Sequence, residues 1–207
     1  PDKQKKHGQD ESLSKAGFQQ ATKVAEYLSK IKPNLIYSGT YRRAEEMAQT
    51  FKNICYQENY QVTKDPILNE ISRPLVDGKP YTDINLKKYF LWRRDVIHSP
   101  NDENIRSRFM DSGESYWQFH QRCGLILRAF TNPQFTGKKI AVFTHSQVIE
   151  TTKTWIRHGT SPTPQQLMGP FSDKDNFPPF GSISSFVYDT ETNYWTILKS
   201  NYVDHLI

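Results

Sequence analysis

The stretch from Lys139 to Glu150 constrains the fold more than any other part of the chain. Four apolar residues, Ile140 to Phe143, run straight into Thr144-His145 and then into a helical pattern. A short apolar run of this kind suits a strand covered on both faces, and such strands belong to parallel sheets flanked by helices. In those sheets ligands collect at the carboxyl ends of the strands. His145 falls at that end, and the backbone N–H groups of Ser146 and Gln147 open the following helix, where peptide dipoles favour an anion. The stretch by itself is equally compatible with a histidine facing phosphate or carboxylate and with one that merely ends a strand.

The rest of the chain extends the pattern. Ser14 caps a predicted helix whose apolar residues (Phe18, Ala21, Val24, Ala25, Leu28) recur at helical intervals. Pro33 and Asn34 end it, and Leu35 to Tyr37 forms a short strand that stops at Ser38-Gly39-Thr40, a second strand-to-helix junction. The helix that follows, Tyr41 to about Cys55, puts Arg42 and Arg43 in its first turn, where cations oppose the helix dipole. An anion in front of one of them would explain that placement; exposure to solvent is the alternative. Val62 to Leu68 is an extended piece broken by Pro66 and followed by Asn69-Glu70.

From about residue 71 to 111 strand periodicity disappears, and Pro74, Gly78, Pro80 and Pro100 surround a helical patch, Asp83 to Val96, that carries Trp92, Arg93 and Arg94. This reads as an insertion acting as a lid, with Arg93 and Arg94 as substrate contacts. Gly113-Glu114-Ser115 opens a long helix to Phe130. Beyond His145 come a helix over Val148 to Ile156, an irregular proline-rich region from Gly159 to Pro179, and two strands, Ser182 to Tyr188 and Tyr194 to Lys199. The expected architecture is a single α/β domain over residues 1–207, a three-layer α/β/α sandwich around a mostly parallel sheet, with a small helical insertion as a lid.

Charge narrows the partners. The 27 Lys and Arg exceed the 22 Asp and Glu by five, which suits an anionic substrate, and the basic residues are scattered without a nucleic-acid motif. No apolar run approaches the ~18 residues of a membrane span, so a soluble protein is expected, with neither nucleic-acid nor membrane partners. Cys55 and Cys123 lack a near partner or a histidine at metal-ligand spacing, which points to a reducing compartment, taken as the cytoplasm, and to no metal site. A homodimer is compatible with all of this.

Together the junctions resemble the histidine phosphatase superfamily, the phosphoglycerate-mutase-like enzymes, in order along nearly the whole chain. Gly8-Gln9-Asp10-Glu11-Ser12-Leu13 through Gln20-Ala21 is similar to the family's "GQ-D-PLT--G--QA" segment. Ser38-Gly39-Thr40-Tyr41-Arg42-Arg43-Ala44 is similar to "SSPL-RA", which puts the phosphate-pocket arginine at Arg43. Leu68-Asn69-Glu70 matches "L-E", Gly113-Glu114-Ser115 matches "GES", and Thr144-His145-Ser146 stands where the family has "SHG". Asn201 to Leu206 is similar to its "N--HL" ending.

The family's N-terminal strand ending in Arg-His-Gly or Arg-His-Ala is missing from the chain. Lys6-His7-Gly8 follows no strand, and Arg157-His158-Gly159 follows a helix. The strand and its nucleophilic histidine are therefore expected just upstream of Pro1. The resemblance implies a phosphomonoester hydrolase working through phosphohistidine, with Arg43 and His145 holding phosphoryl oxygens, Glu70 as proton donor, and no cofactor or metal. Ser146 and Gln147 would add substrate-binding backbone. The substrate would be a phosphorylated small molecule or phosphoprotein; a phosphoglycerate-mutase-type phosphotransferase and an inactive binding module are the alternatives.

Overall fold

The structure is a computed structural model that describes residues 11–55, 61–80, 82–173 and 177–207. His7 lies outside the described residues. Helix α1 (Lys15–Ile31) begins where the Ser14 hydroxyl accepts the Gly17 N–H, and ends at Lys32, which takes the left-handed conformation. Strand β1 (Leu35–Ser38) leads into α2 (Arg42–Ile54), and β2 (Val62–Lys64) leads into a turn of 3-10 helix at Pro66–Leu68. The insertion forms α3 (Ile84–His98) and the short α4 (Asp102–Arg106). Then come α5 (Tyr116–Phe130), β3 (Ile140–Phe143), α6 (Ser146–His158) and α7 (Pro164–Ser172). The strands β4 (Ile183–Asp189) and β5 (Tyr194–Tyr202) close the chain.

The central sheet is parallel in the order β2-β1-β3, with Ser38 opposite Phe143 in register. Its alternating side chains divide two cores, as the pleat requires. Ile36, Ala141 and Phe143 pack against Val24 and Ala25 of α1 and Ala48 and Phe51 of α2. Tyr37 faces the other way, edge-on to Phe130 of α5, where Phe119, Cys123 and Val148 form the second core. The molecule is therefore the expected three-layer α/β/α arrangement. β4 and β5 pair antiparallel as a separate two-stranded sheet.

The insertion has its own small core of Val76, Leu86 and Tyr89, with Trp92 and Phe109 packed on it. Two helices depart from the sequence expectation. α7 occupies part of the region read as irregular: Thr163 and Gln166 form a capping box and Pro164 sits at the start of the helix, where its missing N–H costs nothing. α6 reaches beyond Ile156, so Arg157 and His158 lie in its last turn and are exposed.

Candidate active site

The carboxyl ends of β1 and β3 stand side by side, and their loops are stitched together. The Gly39 N–H donates to the Phe143 carbonyl at 3.0 Å, and the Thr144 hydroxyl to the Leu68 carbonyl at 2.6 Å. His145 follows in extended conformation as the N-cap of α6, with a side chain only 6% exposed. Its Nε2 has no hydrogen-bond partner among the described residues. Its ring stands edge-on to Tyr41, with centroids 5.2 Å apart. Burial first, and then the positive charges of Arg43, Arg73 and Arg122, push the His145 pKa down to about 3. The imidazole is neutral at pH 7, with Nε2 unpartnered among the described residues in a cationic surrounding, where an anion beside it would favour the protonated form.

The two arginines at the start of α2 divide their roles. Arg42 is exposed and holds Glu46 at 2.8 Å, and Glu46 also accepts the Leu13 N–H at 2.7 Å. Arg43 turns inward, its guanidinium 5.3 Å from the centre of the Tyr41 ring. Burial lowers its proton affinity, and the nearby carboxylate of Glu70 opposes that shift. Arg43, His145 and Glu70 thus share one electrostatic neighbourhood, although 102 positions separate Arg43 from His145 in the sequence.

Glu70 sits at the end of the 3-10 turn, 8% exposed. Burial raises its pKa, opposed chiefly by Arg73 and then by Arg43. A carboxyl group that keeps its proton longer than usual is suited to donate it to a leaving oxygen. Its loop is held on two sides. The Asn69 side chain accepts the Thr40 N–H at 2.7 Å and donates to the Thr40 hydroxyl at 2.8 Å. This approach explains Gly39, where an added Cβ would lie 2.8 Å from Asn69 Oδ1 and 3.1 Å from the Leu68 carbonyl oxygen.

On the other side Arg122, from the middle of α5, donates to the carbonyls of Ile67 at 2.6 Å and Asn69 at 2.9 Å, and to Glu114 through two nitrogens, each at 2.7 Å. Glu114 also accepts the Ser72 N–H at 2.9 Å. Gly113 has a φ of 74° and lies so close to the Ser72 carbonyl that any side chain would collide with it. An open cleft of about 410 Å³ beside this loop is lined by Thr40, Tyr41, Asn69, Ser72, Glu114 and Arg122 among others.

Arg73 and Arg122 carry no signal in the sequence, because both depend on where the insertion and α5 meet the Glu70 loop. The remaining expected contacts fall as follows. The Ser146 hydroxyl donates to the Pro178 carbonyl at 3.2 Å. Gln147 is buried, with its side-chain oxygen unpartnered among the described residues. Arg94 is exposed and bonded to Asp95, and Arg93 lies beside the Tyr116 hydroxyl; neither is among the charges that act on His145. Among the described residues no three His, Cys, Asp or Glu side chains gather as a metal-ion set, and no helix is long and apolar enough to cross a membrane.

The sequence profile described as "Histidine phosphatase superfamily (branch 1)" matches residues 2–169. The chain belongs to the histidine phosphatase superfamily. Its fold is similar to that of YhfR from Bacillus stearothermophilus, with a TM-score of 0.74, 17% identity, and coverage of 99% of this chain and 92% of that one. The native mycobacterial glucosyl-3-phosphoglycerate phosphatase aligns with a TM-score of 0.69 and 20% identity, covering 97% of this chain and 93% of its own. A phosphoserine phosphatase mutant from Entamoeba histolytica, in complex with phosphoserine, gives 0.69 and 20% identity over 98% and 91% of the two chains. A comparison with curated proteins found no match.

Proposed function

We propose that the protein is a phosphomonoester hydrolase that works through a phosphohistidine intermediate, on a phosphorylated small molecule or phosphoprotein, in the cytoplasm. The observation that carries this reading is the burial of a neutral His145 among guanidinium groups, one of them Arg43, beside a carboxyl, Glu70, whose proton affinity is raised. In the proposed reaction an imidazole nitrogen attacks phosphorus in line with the ester bond. The bond from phosphorus to the leaving oxygen breaks, and that oxygen takes the Glu70 proton. Water then attacks the phosphohistidine, Glu70 accepts a proton from it, and the phosphorus–nitrogen bond breaks to release inorganic phosphate and free imidazole. Arg43 and His145 hold the phosphoryl oxygens, where charge is stabilised as bonds change.

The nucleophile is proposed to be a histidine on a strand preceding Pro1. In support, β3 pairs only with β1 among the described residues, and Val142 in it is 36% exposed. A parallel strand along the open edge of β3 would end level with His145, since both strands would finish at the same rim of the sheet. The free thiols of Cys55 and Cys123 accord with a reducing compartment.

The test is hydrolysis of para-nitrophenyl phosphate by the full-length protein. Arg43→Ala and His145→Ala should each lower kcat/KM by roughly 100- to 1,000-fold, the usual effect of removing one such donor. A phosphoenzyme stable to alkali and labile to acid should be trapped during turnover. Activity untouched by both substitutions rejects the site, and an inactive wild type favours the binding-module reading.

A further inference from the structure

The start of α2 is built around a residue that does not suit a helix start. Tyr41 is the N-cap of α2, a place where Ser, Thr, Asp or Asn would accept a first-turn N–H, and its side chain makes no such bond. The pattern that this segment resembles has a leucine at the same place. Tyr41 is nonetheless only 8% exposed, so its ring is turned inward at the rim of the sheet. The backbone beneath it is fixed from two directions. The Gly39 N–H is held by the Phe143 carbonyl at 3.0 Å, and Thr40 is fastened to Asn69 through its N–H and its hydroxyl.

The ring meets two groups that come from distant parts of the chain. The Arg43 guanidinium lies 5.3 Å from its centre, within reach of the attraction between a cation and an aromatic face. The His145 imidazole stands edge-on to it, with centroids 5.2 Å apart. Tyr41 thus touches both, and it also lines the open cleft of about 410 Å³. An arginine side chain has many rotamers, and a guanidinium already resting on a ring loses less freedom when its ligand arrives. An anion beside His145 favours the protonated imidazole, so that two cations then share one small space. An electron-rich ring in contact with both attracts each of them. A leucine would fill the same space without offering that face.

We propose that Tyr41 is a positioning residue whose ring sets Arg43 and His145 relative to one another, through its electron-rich face rather than through its bulk or its hydroxyl. This rests on the phosphatase reading above and adds a residue to the same site. Tyr41 forms no bond to phosphorus or to the leaving oxygen; its effect on rate comes from holding the two groups that take the phosphoryl oxygens. A displacement of such a group by about 1 Å is enough to lower a rate by roughly 100-fold.

The experiment measures kcat and KM of the full-length protein for para-nitrophenyl phosphate in Tyr41→Leu, in Tyr41→Phe, and in Tyr41→Phe with its new ring progressively fluorinated. Fluorine withdraws electron density from the face and changes the size of the ring little, so a residue that only fills space is insensitive to it. Tyr41→Phe should stay within about threefold of the wild type, and kcat/KM should fall stepwise with fluorination, by roughly tenfold at the end of the series. Tyr41→Leu should lose at least as much. Circular dichroism and the urea midpoint should stay constant along the fluorinated series, which keeps the test valid should the leucine variant fail to fold. A rate that does not change with fluorination, or a Tyr41→Phe protein as slow as Tyr41→Leu, would overturn the role of the ring face while leaving the phosphatase standing. If the wild type hydrolyses no para-nitrophenyl phosphate, the phosphatase reading falls, and the ring is tested by calorimetric affinity for inorganic phosphate. That affinity should weaken along the same series; an absent or constant affinity would overturn the ring as well.

Discussion

Arg122 and Glu114, eight residues apart on either side of the start of α5, are joined by two parallel bonds of 2.7 Å each, and the same guanidinium carries the carbonyls of Ile67 and Asn69. The acid-bearing loop therefore rests on a helix of the scaffold through one ion pair. Glu114→Gln should leave a partly buried cation without its counter-charge and cost about 2–3 kcal/mol of stability, read from the midpoint of urea unfolding. The same variant should lose more activity than a distant variant of equal stability, because Glu70 loses its support.

Gly39 offers a second handle on the same loop. Gly39→Ala would force its Cβ against the Asn69 side chain and the Leu68 carbonyl, both of which belong to the loop that carries Glu70. Overpacking of this kind costs about 1–3 kcal/mol. Thermal unfolding should show the loss, and kcat should fall with it.

The division between the two arginines of α2 predicts opposite outcomes for neighbouring positions. Arg42→Ala removes an exposed partner of Glu46 and should leave kcat/KM within about twofold and stability within about 0.5 kcal/mol. Arg43→Ala should lower kcat/KM by orders of magnitude while circular dichroism remains that of the folded protein. Equal effects at both positions would contradict the inward turn of Arg43.

Two buried groups give the pH dependence of stability opposite slopes. The His145 pKa is depressed to about 3, so between its unfolded value of about 6.5 and pH 3 the unfolded chain binds the extra proton and stability falls as pH falls. The slope from this one group reaches at most about 1.4 kcal/mol per pH unit. His145→Gln should flatten the acid side of the stability curve. Glu70 has a raised pKa, so above about pH 4.5 the unfolded chain releases a proton that the folded protein keeps, and stability falls as pH rises through the folded value. Glu70→Gln should remove that decline. Urea titrations across pH 3–8 measure both effects.

The layering and the two strand-to-helix junctions were legible in the sequence because apolar periodicity and breaking prolines mark them locally. Ser14 announced its helix, and the apolar run before His145 announced its strand. α7 was not legible, because Pro162, Pro164 and Pro170 dominate the composition of that segment while the capping pair Thr163 and Gln166 carries the opposite message in two residues. At the proposed site, His145, Arg43 and Glu70 stand out from motif order, and the structure brings them into one electrostatic neighbourhood. Arg73 and Arg122 do not, since their place beside Glu70 arises from tertiary meeting points between the insertion, α5 and the Glu70 loop. Arg93 and Arg94 are basic residues on the inserted helix: Arg94 is bonded at the surface to Asp95, and Arg93 lies beside Tyr116.

The paired hydrogen bonds between Asn69 and Thr40 bear on how such a centre could adapt to different alcohols. With the turn before Arg43 fastened to the residue before Glu70, the proposed mechanism has the distance from phosphorus to proton donor set by a rigid unit, constant from one ester to the next. On that mechanism, variation in the bulk of the departing alcohol falls to the inserted segment rather than to the fastened turn. Mutational retuning of substrate range should therefore succeed in that segment and fail at the fastened turn.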